Sequence, residues 1–298
     1  MTDNILGHID AGTKLIDNQG ELVPEVWSAK MIVARENYLV AAKVVMRADD
    51  EVANFGDVIH FPEVGDATAT EVSPGTDVSY QAFNDSEVTI TINKHYESSF
   101  LVHDRFSAQT KYRYADKKAE KCGYALGKTV DSAILALYSS AANNVGSGSA
   151  AISELNIIKA NRLLDSADVP ADDRHFIIES YGKAQMNDID NFVQYQITGK
   201  ASPAVTTGKR GYEYGDIWGV TVHVSNNVPV EAATPAVVHG LFLHREAIGL
   251  AIQKGVTPEK QRKAEKLADL YVTQVLFGVG VLRSDHMVDF RYSQADAS

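Results

Sequence analysis

The chain is poor in the residues that would commit it to several common classes. Its 298 residues include one cysteine, Cys122, so no disulfide can form within it, as suits a reducing compartment. No apolar run reaches the roughly 18 residues that a membrane-spanning helix needs. The first ten residues lack the basic start and apolar stretch of a secretory signal. With a net charge of −11 and a pI near 5.3, there is no basic excess to neutralise phosphates. General nucleic-acid binding is therefore disfavoured, although a container for nucleic acid is not.

Patterns that carry chemistry are equally scarce. No Gly-x-Ser-x-Gly elbow supplies a nucleophile for His103-Asp104 to orient. Gly123-x3-Gly127-Lys128-Thr129 falls one residue short of a phosphate loop and sits within a helical pattern. The nine histidines include no His-Glu-x-x-His and no pair at helical i, i+4 spacing. His239 and His244 would fall on opposite faces of a strand. Asp172-Asp173 and Asp188/Asp190 read as solvated turns, and Cys122 as a small core residue. No catalytic residue, cofactor or metal is expected.

One absence carries positive information. From Val44 to Asn93, fifty residues pass without a lysine. Ten acids (Asp49, Asp50, Glu51, Asp57, Glu63, Asp66, Glu71, Asp77, Asp85 and Glu87) face one base, Arg47, so this stretch holds −9 of the −11 charges. Val58-Ile59-His60-Phe61 and the alternating Val88-Thr89-Ile90-Thr91-Ile92-Asn93 read as two strands, with turn signals at Gly65-Asp66 and Pro74-Gly75. A ribbon of that length would reach on the order of 60–70 Å. An isolated hairpin is marginal in water, so a neighbouring copy of the same chain is the economical partner.

The remainder, at 45% hydrophobic overall, can bury the core of one or two domains. Residues 1–22 are polar and glycine-bearing, an arm. Pro24 suits a first helical turn, and Trp27, Met31, Ala34, Tyr38, Ala42 and Val45 form an apolar stripe after it. Asp104 is a plausible N-cap for a second helix of about 35 residues ending near Tyr138, some 50 Å long, with a candidate bend at Gly123 and Gly127. Its stripe is Ala115, Ala119, Cys122, Leu126, Val130, Ala133 and Leu137. Residues 143–149 (Asn-Asn-Val-Gly-Ser-Gly-Ser) read as a linker. Then come a helix over 153–165, a buried strand at 175–178, a helix near 182–193 and a polar loop at 198–211. Strand-like runs follow at 217–224, 237–243, 250–253 and 270–282, the last two joined through a charged stretch. The alternation indicates a mixed α/β or α+β fold and is too irregular for a doubly wound sheet.

Two basic clusters stand against the acidic ribbon. One comprises Arg105, Lys111, Arg113, Lys117, Lys118 and Lys121; the other Lys254, Lys260, Arg262, Lys263 and Lys266. Each is either a solvated face or a surface that receives a neighbour's acidic ribbon.

The order of arm, short helix, acidic ribbon, very long helix, glycine-serine break and α/β segment resembles the major capsid proteins of tailed bacteriophages, the Hong Kong 97-type fold, which implies α+β. The resemblance covers about residues 23 to 290. Val23-Pro24-Glu25-Val26-Trp27-Ser28 is similar to the opening of the capsid domain in one branch. Asn54-Phe55-Gly56-Asp57-Val58-Ile59-His60-Phe61-Pro62 resembles the start of the extended loop. The most specific match is Gly215-Asp216-Ile217-Trp218-Gly219-Val220-Thr221-Val222-His223-Val224-Ser225-Asn226-Asn227-Val228-Pro229, read as a strand closed by a turn. His244-Arg245-Glu246-Ala247-Ile248-Gly249-Leu250-Ala251 looks like a helix-to-strand transition, and Leu276-Phe277-Gly278-Val279-Gly280-Val281-Leu282-Arg283 like a closing strand. Ser180 departs from the pattern, where related chains often carry proline.

The resemblance implies an N-terminal arm at 1–22 and a peripheral domain with a long spine helix, built from 23–45, 96–140 and 247–282. It further implies an extended β-hairpin loop at 46–95 and an axial domain from 141–246 and 283–298. The implied role is a major capsid protein that self-assembles into the icosahedral shell around a double-stranded DNA genome. Its implied place is the virion capsid, with assembly in the bacterial host cytoplasm. Partners would be further copies of the chain in hexamers and pentamers, with DNA enclosed but not bound by sequence, and no membrane. The short arm leaves no room for a built-in scaffold, so a separate scaffolding protein and a portal are expected, with a decoration or cement protein as a candidate. Some members of the fold weld subunits through a lysine of the extended loop. This loop has none, so the expected shell is non-covalent. The alternative sharing the fold is the shell of an encapsulin-type bacterial nanocompartment, against which Ser225-Asn226-Asn227 is the phage-like feature.

Overall fold

The computed structural model describes residues 39–52, 56–65, 67–75, 77, 80–82, 85–110, 114–189 and 213–294. The arm, most of the stripe after Pro24, Asp66, Lys111, Arg113 and the polar loop at 198–211 lie outside those residues. Among the described residues the α-helices are α1 (Ala41–Val44), α2 (Asp104–Gln109), α3 (Tyr114–Leu135), α4 (Glu154–Ser166) and α5 (Ser180–Asn187). None of them is long and apolar enough to cross a membrane.

The strands, in chain order, are β1 (Met46–Arg47), β2 (Val58–Glu63), β3 (Ser86–Thr91), β4 (Lys94–His103), β5 (Asn143–Val145), β6 (Arg174–Ile178) and β7 (Glu213–Ile217). They continue with β8 (Val220–Val224), β9 (Val230–Glu231), β10 (Val237–His244), β11 (Ile248–Lys263), β12 (Ala268–Val281) and β13 (Met287–Ser293). One sheet runs β1-β11-β12-β4; a second runs β5-β13-β10-β6-β8-β7, with β9 beside β10; β2 and β3 form a hairpin of their own.

Burial explains the second sheet. Along β10 every residue from Val238 to His244 is buried, so the strand needs cover on both faces and on both hydrogen-bonding edges. Strand β13 takes one edge over seven paired residues, while β6 and the short β9 share the other. Phe176, Phe242, Phe290 and Tyr292 fill the core there, with Phe176 against Phe242 and Phe290 at 5.3 and 5.0 Å between ring centroids. The parallel pair β6–β8 requires a crossover, and α5 lies on that connection. Helix α4 begins where expected: the Ser153 hydroxyl accepts from the Asn156 amide as an N-cap.

Several expectations are corrected. The single helix of about 35 residues is two pieces, because Thr110 is extended after α2, and α3 spans 22 residues, about 33 Å. The reason is legible in hindsight: the apolar stripe begins only at Ala115, so nothing on 104–113 anchors a helical face. Phe106 and Tyr114 pack edge to face across the break. His103, not Asp104, occupies the N-cap position. A Cβ at Gly127 would lie 2.6 Å from Leu39 Cδ1, so this glycine permits close packing.

The linker at 143–149 contributes β5, paired in parallel to β13. The run 217–224 is a hairpin instead of one strand: Trp218 and Gly219, at φ 48° and 83°, make the tight turn between β7 and β8. Ser180 simply opens α5, with Glu179 in the N-cap position. His244 ends a strand, and the segment after it is a 3-10 turn, Arg245–Ala247. The charged stretch after Gln253 is strand as well, part of the 16-residue β11. Strand β12 does not close the fold, since β13 follows it into the second sheet. The acidic ribbon is regular over only six paired residues, Val58↔Thr91 to Glu63↔Ser86, or about 20 Å.

Candidate functional site

The acidic loop is held at its root. Ile59, Ile90 and Ile92 are buried, whereas Val64, Val72 and Tyr80 farther out are exposed. Ile90 and Thr91 lie on β12 and β11 where three glycines leave room. A Cβ on Gly278 would stand 2.5 Å from the Thr91 carbonyl oxygen, and one on Gly280 would stand 3.1 Å from Ile90 Cγ1. A Cβ on Gly249 would collide with Ile90 Cδ1. Ala48, Val52 and Ala251 close a small apolar cluster with Ile59 and Ile92. Polar bonds finish the attachment. Asp49 takes an ion pair from Arg47 and accepts the Ile252 amide at 2.8 Å, and Gln253 donates to the Gly56 carbonyl at 2.9 Å. Beyond β2 and β3, the Gln81 side chain ties back to Thr68.

Of the ten acids, Asp49 is engaged at the root, Glu87 meets His60 at 3.1 Å and Glu63 accepts from Ser86. Asp50, Glu51, Asp57, Glu71, Asp77 and Asp85 are exposed. Among the described residues, no ion pair joins this loop to either basic cluster of the same chain.

The basic clusters are partly spent internally. On α3, Lys117 pairs with Glu120 at 2.7 Å, while Lys118 sits over the Tyr114 ring at 4.9 Å and Lys121 over Tyr124 at 5.9 Å. On β11, Lys254 meets Glu259 at 3.2 Å and Lys260 meets Asp269 at 2.9 Å. Arg262 forks onto both oxygens of Asp104 and also reaches Asp269. Hydrogen bonding to Arg262 holds Asp104 below the usual carboxylate range, and Lys260 does the same for Asp269. Lys254 likewise lowers Glu259. That leaves Lys263 and Lys266 at the turn of the hairpin with no side-chain partner among the described residues, beside Leu267, 66% exposed and left-handed at φ 44°.

Sequence reasoning missed Asp131. This carboxylate, fully buried on α3, accepts the amides of Val40 and Ala41 at 3.0 and 2.7 Å and the Asn227 side chain at 3.1 Å. It caps α1 from another helix and ties three distant segments. Burial raises its pKa despite those donors. The only available signal was an acid at a position flanked by the apolar Val130 and Ile134, which periodicity alone cannot distinguish from a solvated one.

No family model and no curated protein matches the chain in sequence. Similarity appears in solved structures. A chain of Mycobacterium phage Che8 matches with a TM-score of 0.75 at 21% identity, covering 90% of this chain and 96% of that one. A chain in the capsid structure of the cyanophage P-SCSP1u matches with a TM-score of 0.74 at 18% identity, covering 93% and 94%. The fold is the Hong Kong 97-type capsid fold. A chain from the mature capsid of bacteriophage PhiM1 gives a TM-score of 0.69 at 15% identity, covering 91% and 92%. The capsid fold thus extends over nearly the whole chain.

Proposed function

We propose that the chain is the major capsid protein of a tailed phage, assembling with itself into an icosahedral shell that encloses double-stranded DNA without cross-links. The observation that carries this reading is the acidic loop: anchored at its root, exposed beyond it, and with no ion pair to the basic clusters of its own chain among the described residues. A segment built this way is stable only when laid on another surface, and on a chain of capsid fold that surface is the neighbouring subunit. Lys263 and Lys266 are the best candidates to receive it, since the other β11 cations already have partners. The α3 cations Lys117, Lys118 and Lys121 are the second candidate face.

In this reading residues 46–95 are the extended loop. The α3 and β11–β12 region is peripheral, and the larger sheet is axial, around the five- and six-fold axes. A separate scaffolding protein and a portal take part during assembly in the host cytoplasm. Negative-stain microscopy of the purified protein, alone and coexpressed with the neighbouring scaffold gene, tests the proposal. Closed shells or capsomer rings are expected. Only monodisperse, non-assembling particles under both conditions would overturn it.

A further inference from the structure

Two of the connections between the two larger sheets run side by side. Strand β10 ends at His244 and reaches β11 through the turn Arg245–Ala247; β12 ends at Val281 and reaches β13 through the turn Ser284–His286. The amides of Leu282 and Arg283 both donate to the Ala247 carbonyl, at 2.8 and 3.2 Å, so the two connections are already bonded together. Here His244, Glu246 and His286 offer ligand atoms that all lie within 4.8 Å of one another.

Both imidazoles are buried, 6% and 5% exposed, with rings edge to face at 5.8 Å, while Glu246 is exposed. The Nδ1 of His286 is buried and has no hydrogen-bond partner among the described residues. Such an orphan is costly unless something fills its place. The His244 Nδ1 has only a long contact, 3.3 Å, from the Glu246 amide.

We propose that His244, Glu246 and His286 form a binding site for a divalent transition-metal cation of the zinc class. Two imidazole nitrogens and one carboxylate oxygen supply three positions, and water the fourth. Magnesium and calcium fit poorly, because they prefer all-oxygen shells. Zinc bonds of about 2.0–2.1 Å require the three ligand atoms to draw together by roughly an ångström. Glu246, at the exposed edge, is the arm that moves, and the cation replaces its amide's long contact on His244. Arg283 next to the site opposes a cation and Asp285 favours one, so selection rests on the imidazoles. A bound ion would clasp both connections and fix the two sheets relative to each other. The site does not depend on the coat-protein reading.

The test uses the full-length protein, stripped with chelator, dialysed against zinc chloride and measured by elemental analysis, with cobalt(II) absorbance as a second readout. About one zinc per wild-type chain is expected, with tetrahedral cobalt bands and a raised unfolding midpoint. Glu246→Gln, at an exposed position that should fold normally, is expected to weaken binding roughly tenfold, and His286→Gln to abolish it. Wild type and Glu246→Gln binding zinc alike, no retained zinc in wild type, or equal retention of magnesium would each overturn the proposal.

Discussion

Replacing Asp131 with alanine should cost the subunit about 2–4 kcal/mol, because the change strands donors that cannot reach water. The carboxylate holds the Val40 and Ala41 amides, and both residues are fully buried. Each orphaned amide costs about 1–3 kcal/mol, while Asn227 is half-buried and can turn toward solvent at little cost. Against this stands the relief of desolvating a charge, visible in the raised pKa of Asp131, which brings the sum below the simple total. Asparagine should behave differently. Its carbonyl can accept the two amides, and its NH2 can meet the Asn227 carbonyl oxygen, which has no hydrogen-bond partner among the described residues. Asp131→Asn is therefore expected within about 1.5 kcal/mol of wild type. The pH sign follows. With the folded pKa above the unfolded one, the contribution of Asp131 is most favourable below the unfolded value near 4 and declines as pH rises through the folded value. Asp131→Asn should flatten that decline. Urea denaturation of unassembled subunits at several pH values measures all of this. If alanine cost less than about 0.5 kcal/mol, or asparagine cost as much as alanine, the capping argument would be wrong.

Gly278→Ala should loosen the root of the acidic loop at a cost of about 1–3 kcal/mol, since the new methyl meets backbone at Thr91 and not a flexible side chain end. Limited proteolysis within 64–85 and assembly yield would report it; unchanged proteolysis would count against the glycine seat. Charge reversal of Lys263 and Lys266 together should reduce assembly and its salt dependence more than reversal of Lys117 and Lys118, measured by light scattering. The opposite order would move the docking surface to α3. Asp104, Asp269 and Glu259 all have lowered pKa values, so their stabilisation of the charged hairpin is complete above about pH 4 and disappears as pH falls through the lowered values. Amide exchange along β11 and β12 should rise there, and an Arg262→Gln variant should lose the part of that dependence that Asp104 contributes. Finally, mature particles on a denaturing gel should run as the 32.4 kDa monomer. A ladder of higher bands would refute the non-covalent shell.

What could be read from the sequence followed from periodicity. Helix α4, the buried strand β6 and the pairing of β2 with β3 as a hairpin declare themselves through apolar periodicity, an apolar run and alternation. Signals fail where a residue's role is set by something distant. The Trp218-Gly219 turn interrupts what looks like one continuous apolar strand, because tryptophan is an unusual choice for a left-handed turn position. Charged residues of β11 pass for a linker until Asp104 and Asp269 are found beside them. His244 and His286 lie 42 positions apart, so no spacing rule brings them together. The sequence alone overextends the long helix, because charge and helix propensity continue beyond the end of its apolar face.

None of the described residues from 64 to 85 enters either buried cluster, whereas Ile59 and Ile92, nearer the root, do. Folding of the subunit and the fate of the loop's outer part are therefore separable. Substitutions among these described residues are expected to change the stability of the chain little and to act chiefly through what the loop meets. Such a segment is free to change in step with a partner surface, and it is the natural place to graft a foreign peptide.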